Sequence, residues 1–234
     1  MCGRYVSPGT AAIEREWQIQ RSTGTLLGPR YNVAPSMTVS VVRRSRDLAG
    51  LELADARWGF APAWWKPSKP PAKSYNAVSE GAASKPMWRD AYRSARCLIP
   101  ALGWYEWARV SRTDPATGEI HERKQPYYLF VEPERPIGFA GLLSTWSAPG
   151  KAALLTCGIL TRPASPSAAA VHDRMPVVLD RAAHAAWLDP QLVDPAKVAQ
   201  ILEAAAVEEI RCYAVPLSVN NSKVDGPELI VPLS

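Results

Sequence analysis

"GWYEWARV", residues 103–110, alternates its side chains with a period of two, the pattern of a β-strand with two different faces. Trp104, Glu106 and Ala108 fall on one face; Tyr105, Trp107 and Arg109 fall on the other. A second β-rich run, "QPYYLFVE" at 125–132, follows after "SRTDPATGEIHERK" at 111–124, where Asp114-Pro115 and Thr117-Gly118 mark a turn. The two runs read as an antiparallel hairpin.

The rest of the chain is written in the same style. "MTVSVVRR" (37–44), "LELADARW" (51–58), "RCLIPALGWYEW" (96–107), "PIGFAGLL" (136–143), "AALLTCGIL" (152–160) and "MPVVLD" (175–180) are short, rich in β-branched or aromatic residues, and bounded by Pro or Gly. Helical periodicity is confined to "TAAIEREWQIQR" (10–21), with Thr10 as N-cap and Ile13 and Trp17 four apart, "MWRDAYRSA" (87–95), "RAAHAAWL" (181–188) and "PAKVAQILEAAAV" (195–207), with Pro195 at its start. These elements predict an α+β protein, its antiparallel strands curled into a barrel-like core with helices at the periphery.

At 234 residues with no linker-like stretch or internal repeat, the chain reads as a single domain over 1–234. A hydrophobic fraction of 47% suffices for a sizeable core. No apolar run approaches the roughly 18 residues of a membrane span, and the start does not resemble a signal peptide, so a cytoplasmic protein is expected. The net charge of +5 fits an anionic partner such as nucleic acid. Among the nine tryptophans, several stand beside Gly, Pro or charge, as faces for stacking would.

Four cysteines without CxxC spacing and only three histidines predict neither disulfides nor a metal site, and no cofactor motif is present. Cys97, Cys157 and Cys212 lie in apolar strands and read as reduced core residues. Cys2, in "MCGRY", differs: if Met1 is removed, it presents a primary amine and a thiol on one α-carbon, a reagent for aldehydes. By itself it reads first as a small hydrophobe at an exposed chain end.

His121 and His184 read as solvated. His172, in "AVHDRMPVVL", precedes a strand between polar neighbours, which fits either a structural histidine or a pocket group. Glu106 among aromatics is either a proton-transfer group of raised pKa or half of a buried ion pair with arginine. Asn76 closes the proline-rich stretch "FAPAWWKPSKPPAKSYNAVSE" as a turn residue would. In that stretch Trp64 and Trp65 form either a stiffened exposed platform or a plug for the barrel end.

Taken together, "MCGRY", "RYNVAP" (30–35), "RWGFAPAWW", "YNAVSE", "RCLIPALGWYEW", "HDRMPVVL" and "VNNSKVDGPELI" resemble, in order and over nearly the whole chain, the SRAP (SOS response-associated peptidase) family. The resemblance implies a sensor and shield for abasic sites in single-stranded DNA, acting alone as a monomer at damaged nucleoid DNA and linking itself covalently to the sugar through Cys2. It implies Cys2, Asn76, Glu106 and His172 as the catalytic set. It also implies Arg4 and Arg174 on phosphates, with Pro35, Trp64, Trp65 and Trp107 wedged or stacked against bases.

The chemistry of these groups agrees. An α-amine of pKa near 8 is a better nucleophile at neutral pH than a lysine, and a neighbouring thiol closes the resulting imine to a thiazolidine. The imine is also open to slow strand cleavage by β-elimination.

The chain departs from the family pattern at Val78, where an arginine that touches DNA is usual, at Leu102 in place of an aspartate, and in "RPAS" (162–165). Arg162 or Lys73 are candidates to compensate for Val78. Two other readings compete: a Cys-dependent peptidase or amidohydrolase with His172 as base of Cys2, and a non-covalent single-strand binding module. For the arginines, ion pairs to Asp173 or Glu106 are the alternative to phosphate contacts.

Overall fold

A computed structural model describes every residue except 1, 46–49, 114–118, 148–149, 151 and 234, with the backbone alone at 112 and 113. In chain order the strands are β1 (Tyr5–Ser7), β2 (Arg21–Ser22), β3 (Arg30–Val33), β4 (Thr38–Arg44), β5 (Leu51–Trp58), β6 (Asn76–Val78), β7 (Arg96–Ala101), β8 (Gly103–Thr113), β9 (Ile120–Phe130), β10 (Ile137–Trp146), β11 (Leu154–Pro163), β12 (Arg174–Pro176), β13 (Val178–Leu179) and β14 (Arg211–Ala214). The α-helices are α1 (Thr10–Trp17), α2 (Ser79–Ala82), α3 (Arg89–Ser94), α4 (His184–Trp187) and α5 (Pro195–Ala204).

Strands β5, β4, β7, β10 and β11 lie side by side, and β11 returns to pair in parallel with β5 through Thr156↔Arg57 and Cys157↔Trp58. That pairing closes a five-stranded barrel, as the sequence predicts, and removes its open edges. A second, antiparallel sheet runs β14-β9-β8-β1-β3. The hairpin read from the sequence is β8–β9, in register from Trp104↔Leu129 to Thr113↔Ile120; its predicted turn at 114–118 lies outside the described residues.

One expectation changes here. "RCLIPALGWYEW" is not one strand: β7 belongs to the barrel and β8 to the second sheet, so the chain changes sheets at Leu102. Gly103 permits the crossing, because a Cβ there would meet the Leu129 carbonyl oxygen and the Tyr128 ring. Leu102, the departure from the usual aspartate, is partly buried against the apolar cluster that contains Val6 and Tyr105.

The period-two reading of β8 holds. Trp104 and Ala108 point into the central core, while Tyr105 and Trp107 join a separate cluster with Val6, Tyr128, Val215, Val219 and Leu229. The C-terminal segment is thus the lid of the outer face of β8, burying aromatic surface that a two-sided sheet otherwise leaves in water.

The helices sit outside the barrel, shorter than predicted. α1 ends at Trp17 because Gln18 turns left-handed (φ +49) and closes the last turn. Its N-cap is Gly9 and not Thr10, whose hydroxyl instead accepts the Leu27 N–H at 2.9 Å. α5 begins at Pro195 as expected, with the Asp194 carboxylate accepting the Ala196 N–H.

Two further expectations are corrected. His184 is not solvated: it is 8% exposed, its Nδ1 accepts from Trp17 Nε1–H at 3.0 Å, and burial lowers its pKa. The alanines around it are small enough to let α4 press onto the barrel, so this histidine is a neutral core partner of Trp17. Cys97 and Cys157 are buried, but Cys212 is exposed because β14 is the sheet's outermost strand. Among the described residues no helix is long and apolar enough to cross a membrane.

Arg96 joins the helices to the barrel. It is 6% exposed, and its guanidinium donates to the carbonyls of Tyr92 and Arg93 at the end of α3 and to those of Trp187 and Asp189 at and just beyond the end of α4. A cation thus meets the negative ends of two helix turns, whose carbonyls have no intrahelical partner. Replacing it with methionine keeps the stem and orphans those carbonyls. Arg96→Met is expected to lower the unfolding free energy by about 3 kcal/mol or more in chemical denaturation; a loss below about 1 kcal/mol would contradict this role.

Candidate active site

The chain start runs to the junction of the two sheets. β1 is held between β3 and β8, with Tyr5 opposite Val33 and Trp104, so the residues before it lie against the core and do not fray. Cys2 is fully buried, contrary to the exposed end expected from its position. Its carbonyl accepts a 2.7 Å hydrogen bond from Asn76 Nδ2. Asn76 is therefore more than a turn residue: it is the first residue of β6, paired with Ile159 of β11, and it ties the chain start to the barrel wall.

Burial pushes the Cys2 thiol far above its ordinary range, and the Glu106 charge adds to the effect. The thiol is thus protonated at rest. Glu106, 3% exposed on β8, has its carboxyl pushed up to about 7, chiefly by burial. Such a carboxyl is populated in both protonation states near neutral pH, as proton transfer requires. Among the described residues, Glu106 faces His172 and not an arginine.

His172 comes from the loop between β11 and β12. Its Nε2 lies 3.9 Å from Glu106 Oε2, too far for a direct hydrogen bond. Its Nδ1 lies 3.0 Å from the Arg174 backbone N–H and 2.8 Å from Asp173 Oδ1. These contacts call for opposite states: the neutral Nε2–H tautomer accepts the amide, whereas the imidazolium donates to Asp173. The ring has a partner in either charge state. Burial nevertheless lowers its pKa, with Asp173 pulling the other way.

A cavity of about 440 Å³ opens at this point, lined by Glu106, Trp107, Lys124, His172 and Asn220. Trp107 Nε1 donates to Asn220 Oδ1 at 2.7 Å, which fixes the indole as one wall. Neither Lys124 nor Asn220 stands out in the sequence as a site residue. The motif "VNNSKVDGPELI" contains Asn220, but only the return of the C-terminal segment over β8 brings it to Trp107.

The arginines are engaged, though not with Asp173 or Glu106. Arg4 donates to Asn32 Oδ1 at 2.6 Å and to the Val219 carbonyl at 2.8 Å, stapling β1 to β3 and to the C-terminal segment. Arg174 forms a two-pronged pair with Glu80 at 2.5 and 2.9 Å, which holds the Glu80 carboxyl down at about 2. Arg162 pairs with Glu208 at 2.6 Å, and Val78 is exposed on β6.

Pro35 sits in a tight turn in which Met37 N–H donates to the Ala34 carbonyl and Ser36 takes φ +78. Arg57 Nη2 donates to Ser36 Oγ at 2.7 Å and braces this strained position. Trp65 is half-buried against Ala61 and Trp146, its N–H bonded to the Lys69 carbonyl. Trp64 meets it edge-on and remains 48% exposed. The two readings of the pair divide between them: Trp65 anchors the proline-rich loop and Trp64 presents a face.

Among the described residues no cluster of three His, Cys, Asp or Glu side chains converges as a metal site. The geometry brings together a buried cysteine near the chain start, a carboxyl poised near neutrality, an imidazole with two alternative partners and an amide that holds the chain start. The chain belongs to the SRAP family: the family model for SOS response associated peptidase matches residues 1–222.

Relatives include abasic site processing protein YoqW of Bacillus subtilis, 35% identical over 202 residues and covering 86% of this chain and 85% of that one. Abasic site processing protein YedK of Escherichia coli is 31% identical over the full length of both chains. In Gallus gallus, abasic site processing protein HMCES is 30% identical, covering all of this chain and 78% of that one. A solved structure from Bacteroides thetaiotaomicron superposes over all of both chains with a TM-score of 0.78 at 21% identity, which concerns the fold.

The raised Glu106 pKa has a consequence for stability. Well below pH 4.5 the group is neutral whether folded or unfolded; between about 4.5 and 7 the unfolded chain ionises while the folded site keeps its proton, so stability falls over that range and is steady above 7. Glu106→Gln is therefore expected to be more stable than the parent at pH 8, by up to about 3 kcal/mol, with the difference vanishing well below pH 4.5. Urea denaturation at several pH values checks this, and a pH-independent difference would contradict it.

Proposed function

We propose that this protein captures abasic sites in single-stranded DNA, as a monomer in the cytoplasm, by forming a thiazolidine between Cys2 and the deoxyribose aldehyde. The observation that supports this reading is that Asn76 holds the Cys2 carbonyl and the Glu106 charge bears on the Cys2 thiol, while Glu106 and His172, 3.9 Å apart, line an open cavity. The relatives' names, abasic site processing protein, support it.

Removal of Met1 leaves the Cys2 α-amine and thiol on one carbon. The amine attacks the aldehyde carbon to give a carbinolamine; loss of water, its proton supplied by Glu106, gives the imine. The thiol then adds across the C=N bond, sulfur bonding to carbon and the S–H proton passing to nitrogen through Glu106. One aldehyde and one aminothiol thus yield one thiazolidine and one water. With Met1 in place, burial keeps the thiol protonated.

His172 moves a proton at the sugar hydroxyl during ring opening, and Asn76 orients the chain end. Trp64 and Trp107 offer faces to bases, with Pro35 as a wedge. Arg4 and Arg174 would meet phosphates with donors their present partners leave over. β-Elimination from the imine gives slow strand cleavage. The peptidase reading with His172 as base of Cys2 fits less well, because a thiolate–imidazolium pair needs a lowered thiol pKa and Cys2 is shifted the other way.

Mixing the Met1-processed protein with a single strand carrying one abasic site is expected to give a species stable on a denaturing gel, its mass that of protein plus DNA less one water. Cys2→Ala should give none, and Cys2→Ser only a heat-labile adduct. Glu106→Gln should slow formation about a hundredfold. An equal yield from Cys2→Ala would sink the proposal.

A further inference from the structure

We propose that Lys124, on the rim of the cavity, is the cation that holds a phosphate flanking the abasic sugar; this rests on the DNA reading above. Three observations carry it. Lys124 lines the same cavity as Glu106 and His172. The arginines that the resemblance assigns to phosphates are already committed, Arg4 to Asn32 and the Val219 carbonyl, Arg174 to Glu80. Lys124 is exposed and, among the described residues, no carboxylate pairs with it.

The hairpin register supplies the geometry. Trp107 faces Pro126 and Arg109 faces Lys124, so Lys124 stands on the Trp107 face of the sheet, one pair along on the diagonal. Diagonal neighbours on one face have Cβ atoms about 7 Å apart. This is comparable to the reach from a nucleobase to its own phosphate, so one nucleotide can lay its base on Trp107 and its phosphate on Lys124. The cavity needs such a charge: Glu106 and Asp173 both repel an approaching phosphate when ionised. A lysine suits the task, being a compact charge on a flexible stem that follows a phosphate without demanding one orientation.

The test is equilibrium binding of the full chain, by fluorescence anisotropy over a salt series, to a single strand carrying a tetrahydrofuran abasic analogue. The analogue has no aldehyde, so binding is read apart from covalent capture. Lys124→Ala is expected to weaken binding about tenfold at low salt and to reduce the log–log salt slope by about 0.7, the value for one phosphate contact on a single strand. Lys124→Arg should restore both. Lys197→Ala, which removes the same charge from α5, should behave as the parent. A neutral methylphosphonate in place of one flanking phosphate should weaken the parent and leave Lys124→Ala unaffected.

An unchanged slope in Lys124→Ala, equal loss in both proteins from the methylphosphonate at either flanking position, or no binding by the parent overturns the assignment. If the variant shows the predicted loss while the parent gives no adduct with true abasic DNA, the covalent reading falls and Lys124 stands. If the adduct forms and the slope is unchanged, the reverse holds.

Discussion

The placement of the chain start governs the rest of this structure. Residues 5–7 pair on one side with β3 and on the other with β8, and the Asn76 amide closes on the Cys2 carbonyl from the barrel side. A terminus held on three sides loses the freedom that termini ordinarily keep, so its groups hold a fixed position relative to Glu106 and Asn76. Arg4 extends the same constraint to the far end of the chain: through Asn32 and the Val219 carbonyl it binds the C-terminal segment over β8, which in turn fixes Trp107 through Asn220. Start, middle and end of the chain meet within one site.

The second constraint is burial of charge. Moving Glu106 out of water raises its carboxyl toward 7, and the same desolvation keeps the Cys2 thiol protonated. The site thus holds a carboxyl poised near physiological pH beside a buried, protonated thiol. Its stability suffers at neutral pH, a pattern typical of sites where local rules are broken for function. By contrast, Arg96 spreads its buried charge over carbonyls at the ends of α3 and α4.

Much of the fold was legible because strand periodicity is a local property. Alternation in 103–110 sorted the two faces of β8 correctly, and the flanking Pro and Gly residues marked most strand ends. The crossing from β7 to β8 was not legible, since an unbroken apolar run looks the same whether it stays in one sheet or changes sheets at a glycine. His184 and Cys212 were misread for a related reason: an Ala-rich helix and an apolar strand reveal amphipathicity but not which edge or face a neighbour covers. Thr10 was placed one position early because its hydroxyl serves Leu27, a partner fixed only by the fold.

The sequence by itself determined the residues available for chemistry: a cysteine at position 2, a carboxylate among aromatics, one histidine before a strand, and the family to which their ordered motifs belong. Tertiary structure alone decided how that chemistry is tuned and approached. Desolvation, the distance between Glu106 and His172, the pairing of Arg174 with Glu80, and the meeting of Lys124 with Asn220 across the cavity all depend on which segments pack together. Those are long-range quantities, set by sheet closure and by the returning C-terminal segment, and a local pattern of residues carries no record of them.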